Sequence, residues 1–157
     1  MIFNNLKINN LKINNFKINN FKTIRYLSNN KKIIQRNRWD QHKFRKGIIY
    51  RYKDCPITNI HSSLCDACHI FPFYMTSDYD RYNLDNGVLL SKHLHSAFDK
   101  RYFTFDQKTA KVKILYNNLE KMNITDLNTI GLENMEGLYI PQLDNKESKI
   151  YLRMINN

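Results

Sequence analysis

The sequence predicts a small α+β domain, because the spacing of its apolar residues changes between helical and strand-like along residues 40–115. Helical spacing comes first, and the residues that show it are Phe44, Ile48, Ile49 and Tyr52. Two short apolar runs follow at residues 64–73 and 88–90, and both are typical of strands. An amphipathic helix packed on a small sheet is therefore expected.

The two apolar runs are bounded by residues that limit their length. Pro72 lacks a backbone donor, so the first strand should end near Phe71. The polar residues 78–85 predict a loop, and Gly87 after Asn86 predicts a turn into the second strand.

A second helix and two further strands are predicted after this pair. Ser91 can cap a helix over residues 92–99. Residues 102–105 and 110–115 are candidate strands, joined by a turn at residues 106–109. The expected order is helix, strand, strand, helix, strand, strand.

The positive charge of the chain is concentrated at one end. The formal net charge is +11 over 157 residues, yet residues 1–39 hold nine Lys or Arg and no acid. Residues 40–157 hold sixteen basic and fourteen acidic side chains. Such an extension would raise nonspecific affinity for a polyanion such as DNA without selecting a sequence.

Residues 4–23 are four copies of a five-residue unit that reads Asn-Asn-Leu/Phe-Lys-Ile/Thr. A step of five turns the apolar positions by about 140° on a helix, so no apolar stripe forms. Residues 1–35 are therefore predicted to be a low-complexity, disordered extension. The alternative is a mitochondrial targeting peptide, because the segment is basic and free of acidic residues.

The three cysteines of the chain are Cys55, Cys65 and Cys68, and no cleavable apolar signal accompanies them. This usage favours a reducing, intracellular compartment over a disulfide scaffold. No apolar run approaches the length of a membrane span, so no membrane partner is expected.

Four ordered motifs lie within residues 55–105. In chain order they are Cys55-Pro56-Ile57-Thr58, Cys68-His69-Ile70-Phe71-Pro72, Asn86-Gly87-Val88-Leu89-Leu90 and Leu94-His95-Ser96-Ala97-Phe98-Asp99. Their order resembles the HNH endonuclease family, in the branch whose pattern runs Cys-x-x-Thr-Gly, Ala-His-Ile-x-Pro, Asn-Gly-x-x-Leu, Leu-His-x-x-Phe-Asp. The resemblance implies a ββα-metal nuclease domain with a flanking helix and extra strands. A weaker similarity at residues 137–141 matches the strand that often closes such domains.

Two residues depart from the family's pattern. Asn59 stands where Gly is usual, and Asn is the other residue that tolerates a left-handed backbone. Cys68 stands where the family often has a small or acidic residue.

The resemblance assigns roles to four residues. His69 would be the general base that takes a proton from water. His95 and Asp99, one turn apart on the predicted helix, would hold one divalent cation. Asn86 would tie the loop between the two strands and so orient His69.

The expected metal site has one further candidate ligand. Asp66 and Cys68 precede the base and, in a regular strand, lie on the face opposite His69, from which either could add a ligand. Asp66 is the one included in the expected site. Mg²⁺ is the ion expected in the cell, and a mixed nitrogen and oxygen set would also accept Mn²⁺, Ni²⁺ or Zn²⁺.

Four basic residues are candidates for contacts with the nucleic acid, namely Lys100, Arg101, Arg45 and Lys46. The first two follow the helix of the metal site, and the other two lie on the first predicted helix. For both pairs the simpler explanation is a solvated, charged helix surface. His93 should point away from the metal face, toward solvent or a phosphate.

The cysteines also allow a structural zinc site. Cys55, Cys65 and Cys68 together with His61 could complete a tetrahedral set. The chain has one CxxC pair without its usual twin, so buried thiols are the preferred interpretation.

The sequence thus predicts an HNH nuclease domain over residues 36–157 that hydrolyses DNA with one divalent metal ion. The alternative is an HNH-like module that binds nucleic acid without cutting it, with or without structural zinc. No motif encodes the target sequence or decides between a monomer and a homodimer. A monomer with a single site should nick one strand at a time.

Overall fold

The computed structural model describes residues 40–77 and 80–156. The described residues belong almost entirely to one unit, Gln41–Asn157. The predicted extension over residues 1–35, whether disordered or a targeting peptide, lies outside the described residues.

The elements alternate between helix and strand, and the α+β class predicted from the sequence is confirmed. They are α1 (residues 40–52), β1 (Cys65–His69), β2 (Gly87–Ser91), α2 (Lys92–Asp99), β3 (Phe103–Phe105), β4 (Val112–Ile114), α3 (Tyr116–Lys121) and α4 (Lys146–Asn156). Short 3-10 helices lie in the connections, and two of them, Asp80–Tyr82 and Leu84–Asn86, follow each other directly before β2. None of the described helices is long and apolar enough to cross a bilayer.

The centre of the fold is an antiparallel hairpin of β1 and β2, against which α1 and α2 both pack. Its register sets Cys65 opposite Ser91 and His69 opposite Gly87. Every residue of β2 is buried: α2 follows β2 directly and contacts both strands, and Phe44 and Ile48 of α1 lie against Gly87. The apolar residues predicted to form one side of α1 are buried or half-buried, which confirms its amphipathic character.

The second hairpin, β3 with β4, was also predicted. Its turn is closed by the Asp106 carboxylate, which accepts hydrogen bonds from the backbone N–H groups of Lys108 and Thr109. Residues 137–140 lie antiparallel to the start of β4 but form a bridge and not a full strand. The bridge joins Tyr139 to Lys111, and three backbone hydrogen bonds flank it, from the N–H groups of Val112, Gly137 and Ile140 to the carbonyls of Leu138, Val112 and Ala110. The pairing is short because Gly137 has a left-handed backbone with φ +79° and the following 3-10 helix, Pro141–Leu143, starts with a proline that has no donor.

One predicted boundary and one predicted cap bond near the first hairpin also differ from the structure. β1 ends at His69, not near Phe71, because the backbone N–H of Phe71 donates to the side chain of Asn86 instead of a strand partner. Ser91 does stand at the N-cap of α2, but its hydroxyl makes no cap bond to the backbone and instead bonds Nδ1 of His93 at 3.2 Å. The left-handed backbone expected at Asn59 is confirmed, with φ 56°.

Gly87 allows α1 to approach the hairpin closely. A Cβ atom at this position would lie 2.3 Å from Cδ1 of Ile48 and 2.7 Å from Cζ of Phe44, two buried core side chains. We expect Gly87→Ala to lower the free energy of unfolding by about 1–3 kcal/mol, because α1 must move or its side chains must leave their rotamers. Urea titration followed by circular dichroism measures this loss.

Gly47→Ala is the matched control for that substitution. Its Cβ would meet the flexible end of the half-buried Leu84 side chain, 2.6 Å away, and the alanine gains about 1 kcal/mol of helix propensity in α1. The loss at Gly47 should therefore be clearly smaller. Equal losses at both glycines would contradict the close packing assigned to Gly87.

Candidate active site

An open cleft of about 500 Å³ lies between α1, the outer edge of β1 and α2. Its lining is Gln41, Phe44, Arg45, Asp66, Ala67, His69, Phe73 and His95. Alternation along a regular β1 predicts Asp66 and His69 on opposite faces, yet both line this cleft. Among the described residues β1 pairs with β2, and no further strand lies along its other edge.

His69 is held from three sides. Its ring stacks on Phe44 at 4.4 Å between centroids and 5° between planes. Phe73 meets it edge-on at 5.4 Å. On the remaining side Nε2 donates a hydrogen bond to the backbone carbonyl of Arg81 at 2.7 Å. The orientation of the ring is therefore fixed by packing and by a backbone acceptor.

The contact with Arg81 decides which ring nitrogen can accept a proton. A carbonyl oxygen can only accept, so Nε2 must carry a hydrogen and Nδ1 is the acceptor in the neutral ring. Burial lowers the pKa of His69 below its usual value, against a smaller opposite effect of the hydrogen bond to Arg81. Neutral His69 is therefore the prevailing form at pH 7.

Asn86 anchors the chain just after His69. Its side chain is fully buried, and its Oδ1 accepts from the N–H of Phe71 at 2.7 Å while Nδ2 donates to the Phe71 carbonyl at 3.2 Å. The carbonyl of Asn86 accepts from the N–H of Ile70 at 2.9 Å. Asn86 thus contacts backbone two residues beyond His69 and does not line the cleft.

His95 lies between two carboxylates. Its Nε2 is 3.3 Å from Oδ2 of Asp99, one turn on along α2, and its Nδ1 is 3.4 Å from Oδ2 of Asp66 on β1. The other oxygen of Asp66 is 3.8 Å from Nη1 of Arg45 on α1. This chain of contacts joins α1, β1 and α2 across the cleft.

The His95 and Asp99 pair has the spacing of two ligands of one cation. Two ligands at right angles, each about 2.1 Å from a metal, are about 3.0 Å apart, close to the observed 3.3 Å. Asp66 contacts the other ring nitrogen, so in this arrangement it cannot join the same ion. No group of three or more His, Cys, Asp or Glu side chains is arranged for a metal within residues 40–77 and 80–156.

Cys68 is not placed as a ligand. It is 1% exposed, and burial raises the pKa of its thiol well above the usual value, which opposes the thiolate that metal binding needs. Cys55 and Cys65 are also buried and free, and the Cys65 thiol donates to the carbonyls of Ile60 and His61. All three thiols are thus buried and free in the described part of the chain.

The predicted nucleic-acid contacts occupy different surroundings. Arg45 lines the cleft, whereas Lys46 beside it is exposed. Lys100 is exposed after α2, with Nζ 5.9 Å from the Tyr102 ring centroid. Arg101 is half-buried with a left-handed backbone, φ 58°, and its buried Nη1 has no hydrogen-bond partner among the described residues. His93 is exposed, as predicted.

Sequence reasoning missed the residues that hold His69. Phe44 was assigned to the core, and Phe73 and Arg81 were assigned no role at all. The position of Phe73 directly after Pro72 was only a weak signal of its contact with His69. Arg81 acts through its backbone carbonyl, so no side-chain pattern could have identified it.

The site thus consists of a hairpin that passes directly into a helix, with a half-buried histidine on the first strand and a His–Asp pair on the helix. Residues 55–106 match the family model described as HNH endonuclease, over about a third of the chain. No curated protein matched the chain. The family implies nuclease-type activity on nucleic acid, usually with a divalent metal ion.

The lowered pKa of His69 can be tested in the metal-free protein. We expect its ring proton resonances to titrate by NMR with a midpoint below 6.5, the ordinary value, because burial disfavours the imidazolium. The lowered pKa also makes stability depend on pH. The contribution of neutral His69 to the free energy of unfolding is present above about pH 6.5 and is lost as pH falls through the depressed pKa. The same protein in urea should titrate near 6.5, and a folded-state midpoint above that value would contradict the burial effect.

Proposed function

We propose that this protein is a metal-dependent endonuclease that hydrolyses DNA phosphodiester bonds with His69 as the general base. One observation carries the proposal: His69 has Nε2 engaged by the Arg81 carbonyl, which leaves Nδ1 as the proton acceptor in a cleft shared with His95. The match of residues 55–106 to the HNH endonuclease family model supports it, because hydrolysis of a phosphodiester needs a base and a cationic group side by side.

The proposed reaction begins with a water molecule at the Nδ1 side of His69. Nδ1 takes one proton from this water as its oxygen forms a bond to phosphorus. The bond from phosphorus to the leaving oxygen breaks, and that oxygen takes a proton from solvent. Stacking on Phe44 and the bond to Arg81 keep the ring from turning, so the proton acceptor stays aimed at the substrate.

A divalent cation is the proposed cofactor, and His95 with Asp99 would hold it. When bound, the ion would neutralise charge on the phosphate and on the departing oxygen. A site with two protein ligands suits Mg²⁺, which keeps several waters and takes further ligands from substrate phosphates. The imidazole also makes Mn²⁺, Ni²⁺ or Zn²⁺ acceptable.

Asp66 has a different proposed role from the one expected of it. It would accept a hydrogen bond from Nδ1 of His95, which fixes the tautomer that leaves Nε2 free for the ion. Arg45 beside it could meet a phosphate oxygen at the mouth of the cleft. Lys46, Lys100 and Arg101 remain proposed contacts to the nucleic-acid backbone.

Cleavage of supercoiled plasmid tests the proposal. We expect wild-type protein to cut with Mg²⁺ or Mn²⁺ and to stop when a chelator is added. His69→Ala should lower the rate by about 10²–10⁴-fold, because it removes the proton acceptor. His95→Ala should also lose activity, and raising the Mn²⁺ concentration should recover part of it.

His93→Ala is the matched control, since it removes the same ring from the same helix at an exposed position. It should cut like wild type. If all variants retard DNA in low salt and none cuts any tested DNA, the nuclease proposal fails and the non-cleaving binding module replaces it. Equal losses in His93→Ala and His95→Ala would remove the case for the metal pair.

The products should report the number of active sites that act together. A monomer with one site should convert supercoiled plasmid to nicked circles first, with linear plasmid appearing from a second, independent cut. Gel analysis over time distinguishes the two forms. Linear plasmid formed in one step, without a nicked intermediate, would show that two sites act in concert.

A further inference from the structure

The C-terminal helix α4 reaches the loop that precedes β2 through one buried hydroxyl. Tyr151 is 5% exposed, and its hydroxyl donates to Oδ1 of Asp80 at 2.8 Å. The hydroxyl oxygen of Tyr151 in turn accepts a hydrogen bond from Nδ2 of Asn83 at 3.2 Å. These bonds join residues 71 and 68 positions apart in the sequence.

The two bonds flank the carbonyl that holds His69. Arg81 lies between Asp80 and Asn83, within the 3-10 helix Asp80–Tyr82, and its carbonyl accepts the bond from His69 Nε2. Asp80 is further fixed by Ser77, whose hydroxyl bonds its other oxygen at 2.6 Å. Tyr151 therefore holds both ends of the short turn whose middle orients the ring.

A second path leads from Tyr151 to the same histidine. Asn83 caps the next 3-10 helix, Leu84–Asn86, since its Oδ1 accepts from the N–H of Asp85 at 2.9 Å. That helix ends at Asn86, whose side chain holds the backbone of Phe71. The hydroxyl of Tyr151 is thus the point where both supports of His69 meet.

We infer that Tyr151 is a positioning residue for His69, acting through Asp80, Asn83 and the backbone carbonyl of Arg81. The inference rests on the proposed function for its effect on catalysis, but not for its effect on the ring of His69. Burial and the bond to Asp80 raise the pKa of Tyr151 to about 12, so its hydroxyl keeps its proton and goes on donating through the neutral range.

Tyr151→Phe tests the inference, because it removes the hydroxyl and leaves the buried ring. In the metal-free protein, long-range ¹H–¹⁵N NMR should show wild-type His69 as a single tautomer protonated at Nε2. In Tyr151→Phe a second tautomer, protonated at Nδ1, should appear, since the Arg81 carbonyl is no longer held in place. In the plasmid assay kcat should fall about tenfold with KM for DNA little changed.

The control is Tyr139→Phe, which removes a hydroxyl that donates to Asp144 at 2.6 Å on the surface. It should leave both the His69 tautomer and kcat as in wild type. Asp80→Ala should reproduce Tyr151→Phe, whereas Asp80→Asn, which retains an acceptor oxygen, should be close to wild type. Circular dichroism and thermal unfolding confirm that each variant is folded.

The outcomes separate the inference from the proposed function. A folded Tyr151→Phe protein with the wild-type tautomer would overturn the inference, and so would equal losses of kcat in Tyr151→Phe and Tyr139→Phe. If wild type cuts no DNA but the tautomer changes as expected, the nuclease proposal fails and the positioning of His69 by Tyr151 stands.

Discussion

The buried side-chain amide of Asn86 is the interaction on which the rest of the site depends. It supplies both an acceptor and a donor to the backbone of Phe71, so the chain can leave the sheet after His69 without burying unpaired polar groups. Leaving such a buried group unpaired costs about 1–3 kcal/mol, and without this amide both the N–H and the carbonyl of Phe71 would lose their partner. The end of β1, and with it the place of His69, is therefore set by one residue of the connection between β1 and β2.

In the part of the chain that the structure describes, the sheet of β1 has two strands, so one edge of β1 carries no partner strand. A third strand beside β1 would cover the edge from which the cleft opens. With that edge free, His69 packs under Phe44 of α1 while Asp66, on the other face, reaches His95 of α2. The ten paired residues of the hairpin thus bring together groups from two helices.

Much of this could be read from the sequence, for identifiable reasons. Helical spacing located α1, and the apolar runs located β1 and β2. His95 and Asp99 are four residues apart, so the geometry of a helix puts them on the same face of α2. The end of β1 was misjudged because a side chain competes there with the strand ladder. The pairing expected at residues 137–141 is present but short, because Gly137 and Pro141 bound it on both sides.

Long-range backbone contacts could not be predicted by the same means. The carbonyl of Arg81 has the same chemistry in any residue type, so its bond to His69 leaves no trace in the sequence pattern. The bond of Tyr151 to Asp80 joins a helix without a motif to a loop without one. What sequence patterns reveal is which side chains carry chemistry. What they leave out is which atoms hold those side chains still.

His69 and the His95–Asp99 pair differ in how far contacts within the protein fix their geometry. His69 has its ring, its tautomer and its neutral form set by contacts within the protein. Asp99 is 66% exposed on the outer face of α2 and contacts a single ring nitrogen of His95. A cation there would need water and phosphate oxygens to fill its remaining coordination positions. Under the proposed function, the general base would therefore be preorganised, whereas the metal-bound half would be completed only when a phosphodiester substrate binds.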